Sequence, residues 1–224
     1  MITAQDITKS YGKTAILQGV SLHLDAGKAL AVVGENGAGK TTLLKILATA
    51  SRPDGGSLYI GGADALANPA AAREKLGYVP QGIALMQELS VKDNLYYWMK
   101  TKDQAVYETV MDIIGLKAVE KRKVSRLSGG MKRRLNIGAS LVLRPSLLIL
   151  DEPLAGVDIA NRRRIIASLT ALKKSGVAII FTSHYTDEMQ LLADEMIALR
   201  EGTVTYSGCL EFDNLADAIR RYTA

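Results

Sequence analysis

Cysteine occurs once in the sequence, as Cys209, so neither a disulfide framework nor a cysteine-built metal centre is available. Long apolar runs are also missing. The stretches 29–33 and 147–150 fall far short of the ~20 residues a bilayer-spanning helix needs. No N-terminal leader pattern is expected, because Gln5, Asp6 and Lys9 interrupt the opening segment. Aromatic residues make up only 5%, and none alternate with basic residues on an expected strand, which argues against a base-stacking nucleic-acid surface. These absences point to a cytosolic chain that neither crosses a membrane nor is stapled by sulfur.

What is present suits one globular unit. Across 224 residues, 48% are hydrophobic and 23% charged, enough for a single domain with a sizeable core. The net charge of +5 gathers in residues 117–134, 162–164 and 173–174. The ordinary reading of such runs is solvated helix faces; attraction to nucleotide phosphates, to an anionic membrane surface or to nucleic acid stands beside it.

Periodicity gives the architecture. Val20, Leu22 and Leu24 alternate with Ser21, His23 and Asp25 as in a half-buried strand, which places His23 on the solvent side. Ala26-Gly27 turns the chain into the continuously apolar segment 29–33, suited to a strand buried on both faces. A helix is expected from Lys40 to about Ala50, a turn at Pro53-Asp54-Gly55-Gly56, and a short strand over 57–60. Residues 82–142 read as largely helical, with Val106, Val110, Ile113 and Ile114 at helical spacing and Gly115 as a stop. Apolar strands follow at 147–150 and 177–181, separated by the basic helix 159–174. A hairpin over 196–206, turning at Gly202, precedes a short amphipathic tail. Strand–helix–strand alternation around a glycine-rich turn predicts an α/β fold with a mostly parallel central sheet, an antiparallel N-terminal part and a helical insertion.

Gly34-Glu35-Asn36-Gly37-Ala38-Gly39-Lys40-Thr41 matches the phosphate-loop pattern G-x-x-x-x-G-K-[ST] at every position, between a buried strand and a helix. Its glycines let successive N–H groups point at an anion, and the helix dipole adds to them. Lys40 would reach the β- and γ-phosphates of a nucleotide and Thr41 would hold Mg²⁺; Asn36, Gly37, Ala38, Gly39 and Thr42 complete the candidate contacts. Asp151-Glu152 follows directly on an apolar strand, at the carboxyl edge where ligands of open parallel sheets bind. Adjacent carboxylates there want a cation, which Mg²⁺ on Asp151 would supply. Glu152 would then be free to deprotonate water, the alternative being a helix cap by Asp151. His184 ends the strand 177–181 on the same edge; spacing alone leaves it between a surface histidine and a phosphate-bridging one.

Leu127-Ser128-Gly129-Gly130-Met131 resembles the signature loop of the ABC ATPase family, and the twenty residues from Met131 to Asp151 match the family's order. Tyr11 resembles the adenine-stacking aromatic, Gln81 in Tyr78-Val79-Pro80-Gln81 the glutamine that senses Mg²⁺ and water, Asp158 the aspartate of the interface loop, and His184 the switch histidine. The resemblance runs from about Ile2 to Gly208. It implies a P-loop NTPase fold in a single domain: a catalytic core over 1–81 and 143–224 and a helical signature subdomain over 82–142. It also implies ATP and Mg²⁺ as cofactors, with Lys40, Gln81, Glu152 and His184 in catalysis and Thr41, Gln81 and Asp151 at the metal.

In that family two subunits face head to tail, and Ser128-Gly129-Gly130 of one closes over the γ-phosphate held by residues 34–41 of the other. One copy of each element implies a homodimer or a paralogous pair, working with separate transmembrane permease subunits at the inner face of the cell membrane, nucleic acid being an unlikely partner. Met131 stands where the family usually has glutamine, and Lys132-Arg133-Arg134 follows it; this variant resembles exporter subunits. Residues 82–86 and Tyr96-Tyr97-Trp98 are either local core or the groove that receives a cytoplasmic helix of the membrane subunit. The rival reading is a non-transport ABC ATPase of iron–sulfur assembly or of ribosomes and DNA; a P-loop kinase or GTPase would leave the signature and Gln81 as accidents.

Overall fold

In the computed structural model, which describes residues 1–99, 101–210 and 214–223, the chain opens with β1 (Ile2–Tyr11), β2 (Thr14–Leu24), β3 (Ala29–Gly34) and α1 (Lys40–Leu47). Next come β4 (Gly55–Ile60), β5 (Ala63–Asp64), α2 (Pro69–Arg73) and β6 (Leu76–Val79). A helical stretch then holds α3 (Val91–Trp98), α4 (Gln104–Ile114) and α5 (Gly129–Leu141), with two short 3₁₀ turns between the last two. The chain closes with β7 (Leu147–Leu150), α6 (Ile159–Lys174), β8 (Ala178–Thr182), α7 (Thr186–Leu192), the hairpin β9 (Glu195–Arg200) and β10 (Thr203–Cys209), and α8 (Leu215–Thr223).

Two sheets result. A four-stranded antiparallel sheet has the order β2-β1-β4-β5, and a six-stranded sheet the order β10-β9-β3-β8-β7-β6. All neighbours in the second are parallel except β9 and β10. The continuously apolar runs therefore became the central parallel strands, with every residue of β7 and β8 buried. Side chains on these strands alternate between two cores. Ala29, Ala31, Leu148, Leu150, Ile179 and Phe181 pack with the helical residues Val110, Ile114, Leu135 and Ile165. Leu30, Val32, Leu147, Ile149, Ala178 and Ile180 pack with Leu43 and Leu47 of α1 and with Ile7, Val20 and Leu58 of the antiparallel sheet. Because β3, β6, β7 and β8 run the same way, the segments that follow them all emerge at one edge.

Several boundaries differ from the pattern reading. Helix α1 stops at Leu47, short of Ala50, because Thr49 turns left-handed (φ 55°) and Arg73 holds both its carbonyl and its hydroxyl. Gly55 and Gly56, expected in a turn, begin β4; Gly56 lies against the main chain of Gln5 and Asp6, where a Cβ has no room. Residues 82–90 form no helix. Some of their backbone polar groups go to side chains and others to distant main chain: Asn136 Oδ1 accepts from the Ala84 amide, Asn94 brackets Met86 through both its amide and its carbonyl, and the Gln87 and Leu89 carbonyls accept from the Ser125 and Val124 amides. Gly115 does end α4 in the left-handed conformation. His23 sits exposed on β2, bonded to Thr3 and Asp25, a surface residue as its strand position predicts. Among the described residues no helix is long and apolar enough to cross a membrane.

Candidate active site

The segments leaving β3, β6, β7 and β8 meet around a groove of about 360 Å³ lined by Tyr11, Ile16, Asn36, Gly37, Gly39, Lys40, Thr41, Thr42, Gln81 and Glu152. Its floor is the 34–41 loop. Gly39, at φ 100°, precedes α1 with no side-chain cap, so the N–H groups of the first turn are left for an anion. A Cβ on Gly39 would stand 2.8 Å from Leu17 Cδ2 and 2.9 Å from the Ile16 carbonyl, so the turn requires glycine. Ala38 points the other way, buried against the antiparallel side. Lys40 is buried, and its ammonium donates to the carbonyls of Gly34 at 2.6 Å and Glu35 at 2.9 Å. Burial lowers its pKa, while the Glu152 and Asp151 carboxylates pull in the opposite direction. Tyr11, half-exposed at the end of β1, forms the rim with its ring 5.6 Å from Lys9 Nζ.

Asp151 continues β7 and donates its amide to the Val79 carbonyl at 2.9 Å. Its carboxylate is 2% exposed; Oδ1 accepts from the Thr182 hydroxyl at 2.9 Å and Oδ2 has no hydrogen-bond partner. A buried, unpartnered carboxylate oxygen fits a cation or a water that a cation orders. Among the described residues no three His, Cys, Asp or Glu side chains cluster to hold a metal by themselves. A cation beside Asp151 would therefore need phosphate oxygens and neutral groups such as Thr41 and Gln81. No helix starts at Asp151, so the cap reading fails.

Glu152 adopts φ 48°, a left-handed conformation that costs a non-glycine residue about 1–2 kcal/mol. It is tethered at three points. Its amide donates to Thr182 Oγ1 at 2.8 Å, its carbonyl accepts from Arg133 Nη2 at 2.7 Å, and Oε1 lies 3.1 Å from His184 Nε2. The imidazole must donate in that contact, because a carboxylate only accepts. His184 is half-exposed, with its ring against the Glu152 carboxylate. A carboxylate aimed at the groove and held at Oε1 by an imidazole N–H can take a proton from water at its other oxygen.

The remaining sites lie elsewhere on the surface. Ser128 caps α5 by accepting from the Met131 amide at 3.3 Å, and neither it nor Gly129 or Gly130 lines the groove. Gly130 lies against the main chain of Gly156 and Val157, so the signature loop adjoins the segment that leads to Asp158. Asp158 caps α6 through Asn161, whose amide bonds hold its carboxyl below the usual range.

The basic runs are less solvated than their sequence suggests. Arg133 and Arg134 are buried, and Arg134 caps the end of α4 through the carbonyls of Ile114 and Gly115. Pattern reading also missed Thr182, whose hydroxyl joins the Asp151 carboxylate to the Glu152 amide. For Arg133 there was a signal: it heads the apolar stripe of Ile137 and Leu141 on α5. Tyr96 stacks on the buried Tyr107 at 5.1 Å, while Ile83, Met86, Tyr97 and Trp98 are exposed.

Comparison with known proteins agrees with this fold. Residues 17–155 match the family model described as ABC transporter. A linearmycin resistance ATP-binding protein from Bacillus subtilis is 37% identical, over 93% of this chain and 69% of its own length. A Nod factor export ATP-binding protein from Rhizobium etli is 35% identical, over 90% of this chain and 66% of its own. The chain thus spans about two thirds of the length of these relatives. Among solved structures, an ATP-binding subunit of an ABC transporter superposes with a TM-score of 0.87 at 26% identity, over 99% of this chain and 92% of that one.

Proposed function

The chain belongs to the ABC transporter family, and from that premise we propose that it binds and hydrolyses ATP to drive export through separate membrane-spanning subunits. The observation that carries the reading is the meeting of the Lys40 loop, Gln81 and Glu152 in one groove, with the buried Asp151 carboxylate close enough to act on Lys40 and His184 against the Glu152 carboxylate. The triphosphate lies along residues 34–42, with the α1 amides and Lys40 facing its charge, and adenine stacks on Tyr11. Thr41, Gln81 and Asp151 are the groups that would hold Mg²⁺, which neutralises phosphate charge when bound. Glu152 orients a water and takes its proton as the γ-phosphate departs, leaving ADP and phosphate. His184 keeps that carboxylate aimed and can bridge to a phosphate oxygen.

Ser128, Gly129 and Gly130 stand away from the groove, so their role requires a second copy or a paralogue. Facing head to tail, each chain closes its signature helix over the nucleotide of the other, with the Asp158 segments between them. The exposed Ile83, Met86, Tyr97 and Trp98 form the apolar patch that a cytoplasmic helix of the membrane subunit would cover, placing the chain at the inner face of the membrane. Export rather than import is supported by the Gly-Gly-Met-basic signature and by the export named for the Rhizobium relative.

Affinity purification from detergent-solubilised membranes tests the pairing: a hydrophobic multi-span protein should come with the tagged chain. Recovery of ribosomes, DNA or iron–sulfur scaffold proteins in its place would overturn the transport reading. ATP-driven uptake into inverted vesicles checks the direction; uptake only into right-side-out vesicles would reverse it.

A further inference from the structure

We propose that Arg133, on the signature helix, is a positioning residue for hydrolysis: it holds the peptide of Glu152 and the loop that carries Gln81 in one fixed arrangement. This rests on the reading of Glu152 as the group that activates water. The guanidinium reaches three carbonyls of two separate segments. Nη1 donates to Pro80 at 3.1 Å and to Gln81 at 2.7 Å, and Nη2 donates to Glu152 at 2.7 Å. Three residues on, Asn136 accepts from the Ala84 amide, so one face of α5 holds both ends of the 80–84 loop.

Arg133 is 5% exposed, and among the described residues no carboxylate lies within ion-pair distance of it. A buried cation that spends its donors on backbone carbonyls is an expensive way to stabilise a core; apolar packing would serve better. Its planar fork is, however, suited to fixing several acceptors at set angles, which a lysine ammonium does less well. The acceptor that matters most is the Glu152 carbonyl. The left-handed backbone there is held by Thr182 on the amide side and by Arg133 on the carbonyl side. Releasing the carbonyl frees the peptide to relax towards a right-handed conformation, and the carboxylate moves with it.

The test uses steady-state hydrolysis by the purified chain, binding of a fluorescent ATP analogue, and four variants: Arg133→Met, Arg133→Lys, Glu152→Gln and the double Arg133→Met/Glu152→Gln. Misplacing a reacting group by about an ångström costs on the order of 100-fold, and Arg133→Met is expected to lower kcat by about 10- to 100-fold with nucleotide affinity unchanged. Arg133→Lys, which keeps charge and some donors, should recover part of that loss, and it carries the same test if the methionine variant does not fold. The double variant should lose far less than the product of the single losses, since with Glu152 replaced only the Gln81 loop is left for Arg133 to position. Equal losses in kcat and affinity, or a double-variant loss equal to the product of the single losses, would overturn the proposal. Full turnover by Glu152→Gln would instead bring down the reading of Glu152 on which the proposal rests.

Discussion

At the scale of single residues, Lys40 carries the clearest expectation. Its ammonium is already withdrawn from water and sits among carbonyls, facing the place where β- and γ-phosphates would lie. Lys40→Ala should abolish turnover and sharply weaken nucleotide binding; hydrolysis within a few-fold of the parent, followed by phosphate release, would remove the loop from the site. Met131 supports the opposite expectation. Its amide is capped by Ser128 and its side chain packs against the helical core, so in the proposed dimer Ser128 and the backbone are the signature groups left to face phosphate. Met131→Gln should therefore keep hydrolysis within about tenfold. A loss approaching that of Lys40→Ala would give Met131 a direct part.

At the scale of elements, α6 and α7 are joined by a buried polar cluster beside His184. Arg162 pairs with Glu188 at 3.3 Å and lies over the Tyr185 ring, and Ser183 donates to the same Glu188 carboxylate. Burial pushes the Glu188 carboxyl up, with Ser183 and Arg162 pulling it back only in part. A carboxyl whose pKa is raised on folding adds stability below its unfolded value and loses that contribution as pH rises through the folded one. Melting temperatures across this range should show the parent gaining on Glu188→Gln as pH falls; parallel curves would contradict the assignment.

The same scale shows what pattern could reveal. The strands 29–33 and 147–150 announce themselves because burial on both faces demands an unbroken apolar run. The early end of α1 could not be read, since it depends on Arg73 reaching Thr49 across 24 residues. Residues 82–90 look helical by composition and are not, because Asn94, Asn136 and the main chain of Val124 and Ser125 satisfy their backbone from elsewhere. In the groove, Lys40, Asp151 and Glu152 follow from local motifs. Thr182 and Arg133 depend on which segments the sheet brings together.

At the scale of the whole molecule, the signature loop does not line the groove, so in the proposed head-to-tail pair a lone chain is half of a machine. Glu152→Gln keeps size and shape but removes the carboxylate, so turnover should fall by the ~10²–10⁴ typical of a general base while binding survives. ATP held uncleaved should then keep two chains joined, and gel filtration should show more dimer with ATP than with ADP. Undiminished hydrolysis would take Glu152 out of the role.

The bonds from Lys40 to Gly34 and Glu35 bear on the tempo of such a cycle. They cross-link the loop to itself, so its curvature does not depend on phosphate to impose it. Admitting a nucleotide then asks for the swing of one side chain rather than the ordering of eight residues, and little conformational entropy is lost on entry. Loading and unloading are cheap for such a loop. In the proposed cycle the slow, committing event is then left to the meeting of two chains.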